Sequence, residues 1–412
     1  MASSWYLSKG GYWRLVTITK DMFNGEENSR WFPYMVLAAV VIVGVSVIGL
    51  LGNSGGFAFG GFARGEQNFR ETERGVSFDP ASGAVFHAFN SSGYTFVTRS
   101  GVRFISAAGD TMWQQTLPFE NVQTVSSREM LAVYEPRGRD AFVFSPSGLL
   151  YHRTFDGEIL SASVNRAGSS AFIIETGRTF EIHVFDPTGF RVMQIIHADE
   201  NVFPINVAIT EDSQMAAVAL LDVGGVNVRS RLSFYFLNEQ ALQYSDGVFA
   251  RLQYDDEVIG KMFFFDDGGL VTFSDRAIRR IDVRGDLVSE VSVTELGNRI
   301  SRLVRMGNGF AVALGDGFVG ADSEHVGTVI AYDSTLNERF RFNPDRNTTY
   351  IWANDNSLIV GAGRSIYGLD NNGRMLWNYH ATQDYTQVLM LENRDTILFA
   401  ARSEARVMRR GR

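Results

Sequence analysis

Cysteine does not occur in the 412 residues, which excludes disulfides, thiolate metal sites and a cysteine nucleophile at once. Proline is scarce at 8 residues, against 41 Gly and 32 Phe, a balance that suits strands joined by tight turns rather than helices. There is no surplus of positive charge. The net value of -8 argues against broad nucleic-acid binding. Phosphate-binding loops, dinucleotide fingerprints and nucleophile elbows are missing from the sequence, and with them the chemistry those patterns carry. A chain of this length can bury a core that needs no covalent staple.

What is present begins with one long apolar run. Residues 32–51 read FPYMVLAAVVIVGVSVIGLL without a charge, the roughly 20 residues needed to cross a hydrocarbon core. Trp31 and Tyr34 occupy the place of interfacial aromatics. A cleaved signal peptide has a shorter apolar region behind a short basic leader. Here the leader occupies 1–31 and contains Glu26 and Glu27, so an uncleaved transmembrane helix is expected. Lys9, Arg14, Lys20 and Arg30 precede the run, and Arg64 and Arg70 are the nearest positive residues after it. That bias predicts a cytoplasmic N-terminus and an extracytoplasmic main domain. Residues 52–68 begin with a Gly- and Phe-rich stretch, GNSGGFAFGGFARG, whose glycines make ordered structure entropically costly, and are expected to form a tether.

From residue 69 onward the pattern changes to short apolar or alternating runs, such as AVFHAF (84–89), YTFVT (94–98) and VRFIS (102–106). Gly, Asn and Ser separate them, as between strands. An all-β domain over 69–412 follows. Its strands repeat. Gly109, Gly148, Gly189, Asn238, Gly285, Asn337 and Gly373 mark turns at intervals of about 44 residues, the period of a four-stranded propeller blade. A short hairpin requires positive φ at one position, which Gly adopts freely and Asn tolerates, so the two asparagines are expected to do the work of glycine. Seven units are visible, and 386–391, 396–402 and 405–410 supply three strands of another. GVSFDP (75–80) is expected to complete it from the other end of the chain, giving a ring without free edges. Eight blades are therefore expected, with seven as the alternative.

The clearest copy, IYGLDNNGRMLWNYH (366–380), has the form apolar-x-apolar-Asp-x-x-Gly-x-x-x-Trp. It resembles the repeat of the quinoprotein-alcohol-dehydrogenase-like (PQQ-repeat-like) β-propellers, which are typically eight-bladed. They include quinone-dependent dehydrogenases and non-enzymatic envelope scaffolds of the BamB type. The plan of one span followed by a degenerate propeller also resembles membrane-anchored bacterial proteins of unknown function. The resemblance implies a propeller whose Trp113 and Trp377 wedge between blades. Quinone-dependent members hold a calcium ion with acidic and amide side chains and use a catalytic Asp, several with a vicinal disulfide. The disulfide is impossible here, and no acidic residue can be matched to the catalytic position.

Other candidates for chemistry read as structure. Asp255-Asp256-Glu257, Asp266-Asp267-Gly268-Gly269 and Asn354-Asp355-Asn356 lack the ordered spacing of a calcium loop and sit where turns are expected. His87, His152, His183, His197, His325 and His380 show no paired zinc spacing. No catalytic, cofactor-binding or metal-binding residue is assigned, and no cofactor is expected. The sequence therefore predicts a non-catalytic, membrane-anchored envelope module, held in the membrane by 32–51, that binds protein partners. A propeller enzyme or a ligand sensor with its site in the central channel is the alternative.

Overall fold

A computed structural model describes residues 69–71, 75–89, 93–244, 246–296, 299–315, 327–391 and 394–411. The expected leader, membrane span and tether lie outside the described residues. Among those described, no helix is long and apolar enough to cross a membrane. They form eight antiparallel sheets with two short 3-10 turns, Pro80–Ser82 and Glu239–Gln243.

Blade 1 consists of strands a to d, Val85–Phe89, Gly93–Thr98, Gly101–Ser106 and Thr111–Thr116, hydrogen-bonded in that order. Blades 2 to 7 repeat this meander over 123–154, 158–197, 202–255, 259–292, 300–342 and 348–380. Blade 8 takes strands a to c from Gln387–Met390, Thr396–Ala400 and Glu404–Arg410. The a strands of blades 8 and 1 touch, as do those of 2 and 3, 3 and 4, 4 and 5, 6 and 7, and 7 and 8. Strand a is therefore the innermost of each blade, and the eight surround a central channel.

The core is divided in the same way. Eight hydrophobic clusters each join two neighbouring blades, from blades 1 and 2 round to blades 8 and 1. Eight interfaces for eight blades means that no sheet face is left uncovered. The seven-bladed alternative is thereby removed.

Ring closure differs in detail from the expected single strand. Two N-terminal segments run along strand c of blade 8: Phe69–Glu71 pairs with Arg410 to Met408, and Val76–Ser77 pairs with Ala405 and Glu404. The second lies within the expected stretch, and the first extends the outer strand upstream. Phe78 then turns its ring onto blade 1, with centroids 5.6 Å from Phe86 and 5.7 Å from Phe96. Backbone from one blade and side chain from the next are fastened by three residues of chain. Arg406 pairs with Glu71 of the added strand at 3.1 Å, and Arg410, paired with Asp395 of its own blade at 2.8 Å, donates to the Leu376 carbonyl of blade 7 at 2.8 Å.

The recurring c–d turns have a shared construction. In blades 3, 5, 6 and 7 the first turn residue is Asp186, Asp282, Asp333 or Asp370, whose Oδ1 accepts the backbone N–H groups two and four residues on, at 2.8–2.9 Å. The residue three places on carries positive φ. It is Gly189, Gly285 and Gly373 in three of them. At Gly373 a Cβ would also lie 2.6 Å from the ring of Phe340 in blade 6. In blade 6 the position belongs to Leu336, at φ 66, and not to Asn337, which corrects the expected role of that asparagine. Asn337 instead donates its backbone N–H to Asp333. Asn238 is corrected too: its φ is −123, and its side chain caps the Glu239–Gln243 turn.

Both tryptophan wedges are in place. Trp113 stacks on Phe144 of blade 2 (5.4 Å, 9°) and donates its indole N–H to the Pro146 carbonyl at 2.9 Å. Trp377 is 2% exposed, donates to the Arg394 carbonyl of blade 8 at 2.9 Å and meets Phe69 edge-on at 5.1 Å. It packs so closely over Gly368 that a Cβ there would lie 2.2 Å from the indole.

Candidate functional site: the central channel

The innermost strands place two layers of polar side chains in the channel. The first lies at the a–b turns. Arg128, Arg166, Glu211, Asp266, Arg305 and Asp355 come from blades 2, 3, 4, 5, 6 and 7 in turn. Asp266 is reached by Arg305 at 2.9 Å, by Arg166 at 3.4 Å and by Arg128 at 3.8 Å. Arg128 also meets Asp355 at 3.1 Å. Glu211 pairs with Arg305 and accepts the backbone N–H of Arg166 at 3.0 Å. The bond from blade 2 to blade 7 and those from blades 2 and 3 to blade 5 span the channel mouth, while Arg305 to Asp266 follows its rim. Three cations face three carboxylates, so the layer is neutral as a whole.

Asp266 and Asp355 belong to the acidic clusters read above as turns. They do sit in turns, and they also enter this lattice. Among the described residues no group of three or more His, Asp or Glu is arranged to hold a metal ion. Glu257 of the remaining cluster is buried and paired with Arg279, whose guanidinium lies 4.4 Å from the Tyr254 ring centre. That contact joins blades 4 and 5 away from the channel.

The second layer lies deeper. In blades 2 to 8 the residue three places before the end of strand a is polar in every case. Blades 2, 3 and 4 carry Thr124, Ser161 and Asn206 there. Blades 5 to 8 carry Lys261, Arg302, Tyr350 and Gln387. In blade 1, His87 completes the belt by bonding Thr124 Oγ1 at 2.9 Å through Nε2. In blades 3 to 7 a β-bulge immediately precedes the belt residue, with register shifts such as Ile259/Lys261 and Ile300/Arg302. A bulge inserts one residue and re-aims the next side chain, so a polar group enters the channel while the flanking apolar ones keep their inter-blade contacts.

Each described bond of the belt reaches toward the next blade. His87 bonds Thr124, Tyr350 Oη donates to the Val388 carbonyl at 3.0 Å, and Gln387 Oε1 accepts the Phe86 N–H at 2.8 Å. Belt residues retain contact with solvent, whereas the b strands behind them are almost wholly buried. Protein nevertheless surrounds them. Burial pushes the His87 imidazole down to about 4, so it is neutral near pH 7, and raises the Tyr350 phenol well above its usual range. Sequence reasoning missed the belt. Its members share only polarity and a place three residues before the end of strand a in blades 2 to 8, and that place is known only once the strand ends are.

Elsewhere, a shallow cleft of about 400 Å³ lies between Ser77–Ser82 and strands b to d of blade 1. It is open to solvent and remote from the charged channel.

The architecture and the two layers define the class: a closed eight-bladed β-propeller with a polar channel. Over residues 69–409 the chain matches the family of unknown function DUF5711, and it belongs to that family. No curated protein matches it in sequence. Among solved structures, it is similar to BamB from Moraxella catarrhalis, at 12% identity and a TM-score of 0.48 over 83% of this chain and 100% of that one. Virginiamycin B lyase from Staphylococcus aureus matches at 11% identity and 0.45, over 83% and 99%. BBS1N, solved in complex with ARL6DN, matches at 14% and 0.43, over 84% and 98%.

Proposed function

We propose that this protein is a non-catalytic scaffold of the bacterial cell envelope, anchored by a span over residues 32–51 and presenting its propeller outside the membrane to a protein partner. One observation carries the protein-binding part. The outer strand of blade 3, Arg191–His197, is an edge strand whose exposed face sets Val192, 41% exposed, and Ile196, 60% exposed, on either side of Gln194, beside Phe190 at 68%. Edge strands of soluble domains are normally blunted by charge or proline. An apolar one offers unpaired backbone groups and side-chain anchors to an added strand. Membrane attachment and orientation rest on the uncharged run and the loop charges of the sequence.

In intact cells, gentle crosslinking of the full chain should capture a stoichiometric protein partner, and Ile196→Lys should abolish that capture while leaving the melting temperature unchanged. Capture unaffected by Ile196→Lys would remove the edge from the proposal. Protease added to cells with a permeable outer layer should digest the propeller and spare the leader. Protection of the propeller would reverse the orientation. A second reading, a sensor with its ligand in the channel, is favoured by the belt.

A further inference from the structure

The lattice at the a–b turns is electrically complete, but the belt is not. Lys261 and Arg302 occupy equivalent bulged positions on the adjacent a strands of blades 5 and 6. Among the described residues neither side chain has an ion-pair or hydrogen-bond partner. Most other arginines near the channel have a carboxylate: Arg128, Arg166 and Arg305 all do. Lys261 is also the single lysine after residue 20 in a chain that uses arginine everywhere else.

The surroundings of the pair leave room. Gly260, the bulged residue before Lys261, would carry a Cβ with nothing within 4 Å of it, so the channel is open at this point. The Lys261 side chain is water-accessible while protein closes around it and burial lowers its ammonium below the ordinary lysine value. Arg302 is lowered by burial too, partly offset by the Tyr350 and Tyr385 phenols near it. Holding two like charges in a confined, partly dehydrated space costs free energy unless counter-charge arrives. The described belt supplies none, and its other members are neutral donors and acceptors.

We propose that the channel belt binds a small oxyanion, a molecule bearing carboxylate or phosphate groups, held by Lys261 of blade 5 and Arg302 of blade 6. The ammonium serves as a compact point charge and the guanidinium as a planar fork for two oxygens. Asn206, next along the belt from Lys261, offers an amide to a neutral part of the ligand. The site is independent of the scaffold reading, since it faces inward and the blade 3 edge faces out.

The scarcity of lysine makes the test selective. Reductive methylation of the full-length protein with 13C-formaldehyde labels Lys9, Lys20 and Lys261 and the N-terminal amine, and Lys261→Met identifies the channel signal. Inorganic phosphate and, separately, succinate are titrated at ionic strength held constant with sodium chloride. Saturable movement of the Lys261 signal alone, with affinity weakened roughly tenfold in Arg302→Gln, is the expected result for loss of one charge-assisted contact. Gly260→Leu should block the response by filling the open space, while circular dichroism reports an intact fold. Response to phosphate but not succinate, or the reverse, assigns the source of the oxyanion. A Lys261 signal that stays in place with both anions into the millimolar range overturns the proposal. So does movement that chloride reproduces, or affinity unchanged by Arg302→Gln.

Discussion

At the scale of single residues, position within a strand decides chemistry more than residue type does. His183 and His87 both sit in strands, yet His183 Nε2 meets Glu181 at 2.7 Å, whereas His87 faces the channel with a threonine hydroxyl for a partner. The depressed value of His87 has a consequence for stability. Between about 6.5 and about 4 the unfolded chain takes up a proton that the folded protein refuses, so the His87 contribution is complete above that window and is lost as pH falls through it. Because the ring is only partly shielded from solvent, a loss of about 1–2 kcal/mol is expected rather than the full shift. Denaturant melts from pH 7.5 to 4 should show a shallower decline in His87→Asn than in the parent. Parallel curves would show that His87 does not titrate this way.

At the scale of elements, the sequence disclosed what turn chemistry repeats and hid what bulges shift. Asp-x-x-Gly recurs because one carboxylate must accept two N–H groups and one residue must take positive φ, so blades 3, 5 and 7 announce themselves. Asn337 and Asn238 marked the right blades for the wrong local reason, since the positive φ of blade 6 belongs to Leu336 and Asn238 is extended. The belt left no such signature: its members share polarity and a position but not identity, and each bulge interrupts the period-2 alternation by which strand faces are read. Nothing in a linear pattern marks Asp266 as the meeting point of three arginines, since its partners lie 39, 100 and 138 residues away. Closure was legible in outline only, because two and three residues of pairing are too few to read as strands. Phe78, bridging that closure to blade 1, should be disproportionately important. Phe78→Ala is expected to cost about 2 kcal/mol, as large-to-small changes in partly buried aromatics do. Native-state hydrogen exchange should place the loosened amides in blades 8 and 1; loosening spread evenly over all blades would argue against a local clasp.

At the scale of the whole molecule, eight blades are tied twice: around the ring by the apolar interfaces and across it by the a–b lattice. Four of the cross-ties, Arg128 with Asp266 and with Asp355, Arg166 with Asp266 and Arg305 with Glu211, act between blades that share no hydrophobic cluster. Asp266→Asn should leave Arg128 and Arg166 without their shared anion and weaken Arg305, lowering stability by about 1–2 kcal/mol after allowance for its partial exposure. The penalty should shrink as salt is raised, because partly exposed charges are screened. A penalty equal at low and high salt, measured by denaturant melts, would assign Asp266 a packing role instead.

The clasp between residues 69–77 and 404–410 also sets an order of events. A ribosome delivers the closing strand of blade 8 last, about 330 residues after the segment that covers it, and contacts of such separation form slowly. Until then, blades 8 and 1 each present a bare face to every other chain being made nearby. A finished ring and a half-finished neighbour carry the same two complementary ends. Exchange of the N-terminal segment between chains would satisfy every pairing described for blade 8, so the device that removes edges from the mature propeller is the same one that makes its synthesis sensitive to crowding by its own copies.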